Sequence, residues 1–244
     1  MMKIELEPKR LMDMLSKSLI NAKEIESVSA IISPAGMLFS DISKGVLGVH
    51  ALFNRGYFTT YEVDEEREVL FTKEFLDGLS NLKFGAEDSL SIEIDDDSNC
   101  FLIRAGDKSW NPKLTQVSDT RIKFGLNEVP NIGVLPTQPK TPMLSQFSIG
   151  VDKLIAPDVE KVTLRIVEGE ALSMELDYGG PFTEKLTAVQ TRTMTPGAWT
   201  LFVGILGNIL NNLKGEVWVA VYEKIVFFTQ IEEDYSIMYF TSVT

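Results

Sequence analysis

The chain has 244 residues, 44% of them hydrophobic and 24% charged, which suits one or two soluble globular domains with real cores. Its 35 acidic residues outnumber 23 basic ones, and a net charge of −12 taken alone speaks against a nucleic-acid binder, because neutralising phosphates needs positive charge. The single cysteine excludes an internal disulfide and fits a reducing cytoplasm, and no apolar run reaches the roughly 18 residues of a membrane span.

In chain order, Lys3–Glu7 alternates like a short strand, and Pro8 opens a helix where a missing N–H is tolerated. Leu11, Met14, Leu15, Ser18, Leu19 and Ala22 form its buried stripe, with Arg10, Lys17 and Asn21 expected on the other side. The start MMKIELEPKR lacks the apolar stretch of a signal peptide, so export is not expected. Strands follow as a meander at Val28–Ile32, Met37–Ile42, Val46–Phe53, Tyr57–Val63 and Glu68–Phe71, divided by turns at Pro34–Gly36, Lys44–Gly45 and Asn54–Gly56. A second helix is expected at Thr72–Lys83, with Phe75, Leu76, Leu79 and Leu82 inward. Strands at Ser89–Ile94, Cys100–Ala105 and Ser109–Gln116 then close a unit.

Ser118–Pro142 differs. Pro130, Pro136, Pro139 and Pro142 keep it extended, yet it carries Ile132, Val134 and Leu135, which a purely flexible linker would not need. A second unit restarts at Met143–Ser148, with a short helix near Gly150–Ala156 ended by Pro157 and strands at Lys161–Val167, Ala171–Asp177 and Phe182–Thr193. Trp199–Phe202 leads into a helix at Val203–Leu213, and strands at Glu216–Tyr222, Ile225–Gln230 and Tyr235–Thr241 finish the chain.

The chain also repeats itself. FTKEFLDGLSNLK (Phe71–Lys83) and FVGILGNILNNLK (Phe202–Lys214) share five of thirteen positions at an offset of 131 (202 − 71), and ESVSAII (Glu26–Ile32) echoes EKVTLRI (Glu160–Ile166) at 134 (160 − 26). Two echoes in the same order imply a duplicated unit, and so long a period implies two similar domains. The expected boundaries are residues 1–117, a linker at 118–142, and residues 143–244. The fold class is α+β, each domain built of antiparallel sheet with two helices on one face.

Catalytic constellations are missing from the sequence. His50, the single histidine, falls in an apolar strand, and there is no CxxC pair or phosphate-cradling glycine loop. Asp95-Asp96-Asp97 sits where a hairpin needs a turn and lacks the alternate spacing of a metal loop. No enzyme activity, cofactor or metal is expected.

A duplicated unit of helix, meander, helix and strands, joined by an aliphatic linker, resembles the ring-shaped DNA sliding clamps. It is most similar to the proliferating cell nuclear antigen type of archaea and eukaryotes, and its departures from that type suit a viral or plasmid-borne form. GMLFSDISKGVLGV (Gly36–Val49), GVLP (Gly133–Pro136) and IMYF (Ile237–Phe240) carry the resemblance locally. Ile42-Ser43-Lys44-Gly45-Val46 and the ending Thr241-Ser242-Val243-Thr244 depart from it. The resemblance implies a homotrimeric ring around double-stranded DNA, held without regard to sequence, in the cytoplasm at the nucleoid or in a nucleus. The helix cations Lys9, Arg10, Lys17, Lys73, Lys83, Lys153 and Lys214 would face DNA, a basic interior that the net charge conceals. It further implies a pocket under the linker, lined by Ile42, Val46, Ile132, Val134, Leu135, Ile225 and Phe240, for peptide motifs of DNA polymerase, clamp loader and repair proteins. The competing implication is a checkpoint-type or non-encircling processivity subunit, acting as a monomer or in a hetero-ring.

Overall fold

Alternation makes the first strand: in β1 (Met2–Leu6), Met2, Ile4 and Leu6 are buried while Lys3 and Glu5 reach the surface and pair at 2.8 Å. The computed structural model describes residues 2–18, 27–43, 47–81, 89–115, 144–154, 159–168, 173–179, 181 and 183–243. The chain divides into two compact units. The first comprises Met1–Ile42, Val49–Leu126 and Glu232–Ile237, and the second Ser43–Gly48, Asn127–Ile231 and Met238–Thr244. The expected linker lies outside the described residues.

The first unit continues from β1 into α1 (Pro8–Lys17), β2 (Ser27–Ser33), β3 (Gly36–Ser43) and β4 (Leu47–Asn54). After a 3-10 turn at Arg55–Tyr57 come β5 (Thr60–Val63), β6 (Arg67–Thr72), α2 (Lys73–Asn81), β7 (Leu90–Asp95), β8 (Cys100–Ala105) and β9 (Lys108–Trp110). One sheet has the order β5-β1-β7-β8-β9, and a second set of neighbours runs β4-β3-β2-β6. Gly36 opens β3 with φ +153°, and a Cβ there would collide with the Phe53 carbonyl oxygen, so glycine permits the close approach of β4. The core is aromatic: Phe71 stacks on Phe101 at 5.5 Å between ring centres and meets Phe75 edge-on at 4.8 Å.

The second unit contains β10 (Ser145–Gly150), a 3-10 turn at Val151–Leu154, β11 (Lys161–Val167), β12 (Ser173–Asp177), β13 (Thr183–Leu186) and β14 (Gln190–Thr193). It continues through β15 (Gly197–Phe202), α3 (Val203–Leu210), β16 (Glu216–Val221), β17 (Ile225–Ile231) and β18 (Tyr235–Ser242). Its strand neighbours, β14-β10-β16-β17-β18 and β13-β12-β11-β15, reproduce those of the first unit one for one. The echoed strands β2 and β11 take equivalent places in their sheets. β2 pairs with β6, setting Val28 opposite Phe71, and β11 pairs with β15, setting Val162 opposite Leu201. A helix follows each pair, α2 after β6 and α3 after β15.

Among the described residues several elements differ from the sequence reading; the strand expected at Tyr57–Val63 begins only at Thr60, after the 3-10 turn Arg55–Tyr57. The helix expected near Gly150–Ala156 is a single 3-10 turn at Val151–Leu154 among the described residues. Pro157 follows so soon that there is little room for an α-helix, because proline bars its predecessor from the α region. The expected strand Phe182–Thr193 is two strands with different partners. β13 pairs with β12, whereas β14 pairs with β10 across a register shift at Gln146/Phe147. The expected strand Ser109–Gln116 shortens to β9 and isolated bridges at Lys113 and Thr115, because Pro112 has no N–H to donate.

Helix α1 also corrects the expected basic face. Leu11, Met14 and Leu15 are buried as expected, but so is Lys17, at 4% exposure. It follows Met14 by three residues and Asp13 by four, so it flanks the apolar stripe, ion-pairs with Asp13 and places its ammonium 5.2 Å from the Tyr235 ring centre. Arg10 sits over the Tyr57 ring and donates to Tyr57 O at 2.6 Å and Asp234 Oδ2 at 3.4 Å. The Tyr57 hydroxyl donates to Arg10 O at 2.9 Å, with Asp13 Oδ2 3.1 Å away. Burial first, then the Asp13 carboxylate, raises the Tyr57 phenol above its ordinary pKa and keeps it a donor. Asn54 completes the cluster, its backbone N–H donating to Asp234 O and its Nδ2 to Glu233 O, both at 3.0 Å.

Two outcomes follow for stability. Lys17→Glu sets a second carboxylate against Asp13 in a buried site and is expected to destabilise by about 3 kcal/mol in urea unfolding, while Lys9→Glu at the exposed start of α1 changes stability by less than about 0.5 kcal/mol. His50, 4% exposed in β4, has its pKa lowered by burial to about 4. The unfolded chain takes up this proton near pH 6.5, so the stabilisation is full above that pH and is lost as pH falls toward 4. Between pH 7 and pH 5 the loss is about 2 kcal/mol, and His50→Leu removes that part of the slope in a pH series of unfolding curves.

Candidate functional site

The strands β16, β17 and β18 are apolar on both faces, and that sets the most distinctive surface of the second unit. Pairing places Val219 opposite Phe228 and Val221 opposite Val226 on the face toward the core, all at 2% exposure or less. The other face carries Ala220, Tyr222, Phe227 and Met238 as a second buried cluster, with Ile225 and Phe240 packed on it and only partly buried. Tyr222 meets Phe227 edge-on at 5.4 Å between ring centres, and Phe227 meets Phe240 at 5.5 Å. A Cβ at Gly48 would overlap the Phe240 ring, so that ring lies directly against the β4 backbone. Burial raises the Tyr222 phenol pKa.

Ile225 and Phe240 are the members of this cluster that remain partly exposed. An aliphatic and aromatic patch with a flat ring as one wall suits the hydrophobic anchors of a short peptide. Among the described residues no group of three or more His, Cys, Asp and Glu side chains is placed to hold a metal ion.

Of the expected pocket residues, the structure brings Ile225 and Phe240 together. Val46, Ile132, Val134 and Leu135 lie outside the described residues, as does the side chain of Ile42. Gly48, Tyr222, Phe227 and Met238 were not singled out from the sequence. The available signal was the unbroken apolar runs VWVAVY, IVFF and IMYF, where a strand with one wet face would alternate.

The helix cations are less uniform than expected. Lys9 and Lys214 are exposed, Lys73 is partly buried, and Lys153 is exposed but pairs with Asp152 at 3.2 Å. Arg10 and Lys17 are engaged as described above, and Lys83 lies outside the described residues. Helix α2 also exposes Glu74 and Asp77, and α3 has no charged residue in its eight positions. Among the described residues the helices therefore offer a sparse set of cations, with Asn211 exposed at the end of α3.

No family model and no curated protein matches the sequence. Solved structures match over the whole chain. The PCNA of A. fulgidus, in a structure with the C-terminal region of FEN-1 bound, superposes with a TM-score of 0.76 at 12% identity, covering 100% of this chain and 98% of that one. A PCNA2-PCNA3 complex from Sulfolobus tokodaii gives 0.72 at 14% identity with 99% of each chain covered, and the PCNA of Thermococcus kodakaraensis gives 0.71 at 15% with 100% of each. Identities this low carry the fold alone. Full-length superposition together with the doubled strand order shows that this chain has the α+β fold of a DNA sliding clamp of the proliferating cell nuclear antigen type.

Proposed function

We propose that the chain is a subunit of a DNA sliding clamp, a processivity factor without catalysis of its own that encircles duplex DNA in replication and repair. The observation that carries this reading is the duplicated strand order over a full-length clamp fold. Both units contain a piece of β4 and a piece of β18, so the adjacency of these two strands is internal to each, and both strands are interior in their sheets. Their counterparts by order, β13 for β4 and β9 for β18, are outermost strands among the described residues. Unmatched edges of this kind invite pairing with another copy, β9 of one subunit to β13 of the next, and threefold repetition closes a ring of six similar units.

In this reading Lys9, Lys73 and Lys214 supply sequence-blind phosphate contacts, few enough to permit sliding. The patch around Ile225, Phe227 and Phe240 docks peptide motifs of a polymerase, a clamp loader or a nuclease, as the A. fulgidus PCNA takes the C-terminal region of FEN-1. The reading calls for no cofactor and no membrane, and places the protein with DNA, at the nucleoid or in a nucleus. The sparse helix cations and the existence of a PCNA2-PCNA3 complex favour one alternative, a non-encircling or hetero-ring subunit.

Light scattering is expected to give a mass near three times 27.3 kDa, with the loaded ring retained on closed circular DNA and lost when that DNA is cut. A monomer at tens of micromolar would favour the alternative. Replacing Ile225 and Phe240 together by serine is expected to weaken a docked polymerase or nuclease peptide by about 1–3 kcal/mol in calorimetry, and unchanged affinity would place docking elsewhere.

A further inference from the structure

Strand β9 is short, although the chain after it stays tied by bridges from Lys113 to Cys100 of β8 and from Thr115 to Leu70 of β6. It has three residues, paired on one side only with β8 through Ile103–Trp110, Arg104–Ser109 and Ala105–Lys108. Its last residue reaches past the sheet. The Trp110 indole lies on helix α2 at Gly78, where an added Cβ would overlap Cζ2 and Cη2 of the ring. On the same helix Phe75 meets Trp110 at 5.2 Å between ring centres and Phe101 at 5.4 Å, which ties the strand end to the aromatic core of the unit.

Glycine inside a helix costs about 1 kcal/mol relative to alanine, so its presence calls for a reason. At Gly204 and Gly207 of α3 an added Cβ meets nothing within 4 Å, and the structure shows no packing reason for either. At Gly78 the reason is visible, because only a bare backbone lets the indole lie flat.

We propose that the Gly78–Trp110 contact positions β9 for pairing with a second copy of this chain, so that subunit association depends on a residue of α2 that lies in a helix and not on the pairing edge. The proposal rests on the reading of β9 as a subunit-pairing edge. A methyl group at position 78 must displace the ring. Since Trp110 belongs to the strand, the shift passes to the backbone groups of Lys108 and Ser109. Hydrogen bonds weaken steeply once their geometry is lost, so even a small shift of an edge this short lowers its affinity for a partner strand.

The test is a double-mutant cycle read by the concentration dependence of mass, with urea unfolding run alongside. Gly78→Ala is expected to weaken self-association by about tenfold or more while unfolding stays cooperative. Trp110→Leu, which keeps an apolar side chain, is expected to weaken it similarly and serves if the glycine variant does not fold. In the Trp110→Leu background, Gly78→Ala adds nothing further, because the ring it would strike is gone. Gly204→Ala, in open space, leaves association unchanged. A trimeric wild type with a Gly78→Ala variant that associates equally well overturns this proposal and leaves the clamp reading standing. A wild type that stays monomeric overturns both.

Discussion

A strand at the edge of a sheet exposes a row of backbone N–H and C=O groups, and the organisation of this chain turns on how those rows are met. In the first unit the end of β4 is met by the segment Glu232–Ile237, and in the second the start of β4 at Gly48 is met by Phe240 of β18. The strands in the equivalent places, β9 and β13, have a neighbour on one side only among the described residues. Such an edge is a liability in a solitary protein and an asset in one that assembles. The proposed ring, and the role assigned to Gly78 beneath Trp110, both grow from that asymmetry.

Charge plays a different part from the one that a count of residues suggests. Among the described residues the helices do not carry a dense basic face: Lys17 is buried beside Asp13 and Tyr235, Arg10 is bound to Tyr57 and Asp234, and α2 shows Glu74 and Asp77 to solvent. In the first unit these cations instead join α1 to the segment Glu232–Ile237. Tyr235, its phenol pushed up to about 12 by burial and by the carboxylates of Glu232, Asp13 and Asp234, stands against Tyr57 and Phe53 as the apolar part of that junction. A ring built from such subunits would hold DNA by closure more than by attraction, which sequence-independent sliding allows.

The second unit illustrates how a sheet gains a second apolar face. A strand needs only one apolar face to belong to a core, and β16, β17 and β18 have two. The second is paved by Tyr222, Phe227, Met238 and Phe240, with Gly48 letting the last ring lie flat. Aromatic rings bury much area at low entropic cost, which is why a few of them suffice to anchor a peptide.

Much of the fold was legible in one dimension. Period-two alternation located most strands, the 3.6-residue period located α1 and α2, and the paired echoes at offsets of 131 and 134 announced two similar units, because each pattern is a local consequence of which side chains must leave water. Ile225 and Phe240 could be named as neighbours only through resemblance, and Gly48, Tyr222, Phe227 and Met238 were not placed with them. Their meeting joins segments nearly two hundred residues apart, and no local period records that. Tertiary structure alone decided that Lys17 is buried, since its helical position sits at the margin of the apolar stripe and the Tyr235 ring that covers it arrives from the far end of the chain. It alone decided the split of 183–193 into two strands with different partners, since pairing energy belongs to the partner as much as to the strand. Sequence by itself determined the periodicities and the duplication; which faces stay open was set by long-range contacts, because burial is a property of what packs against a residue and not of the residue.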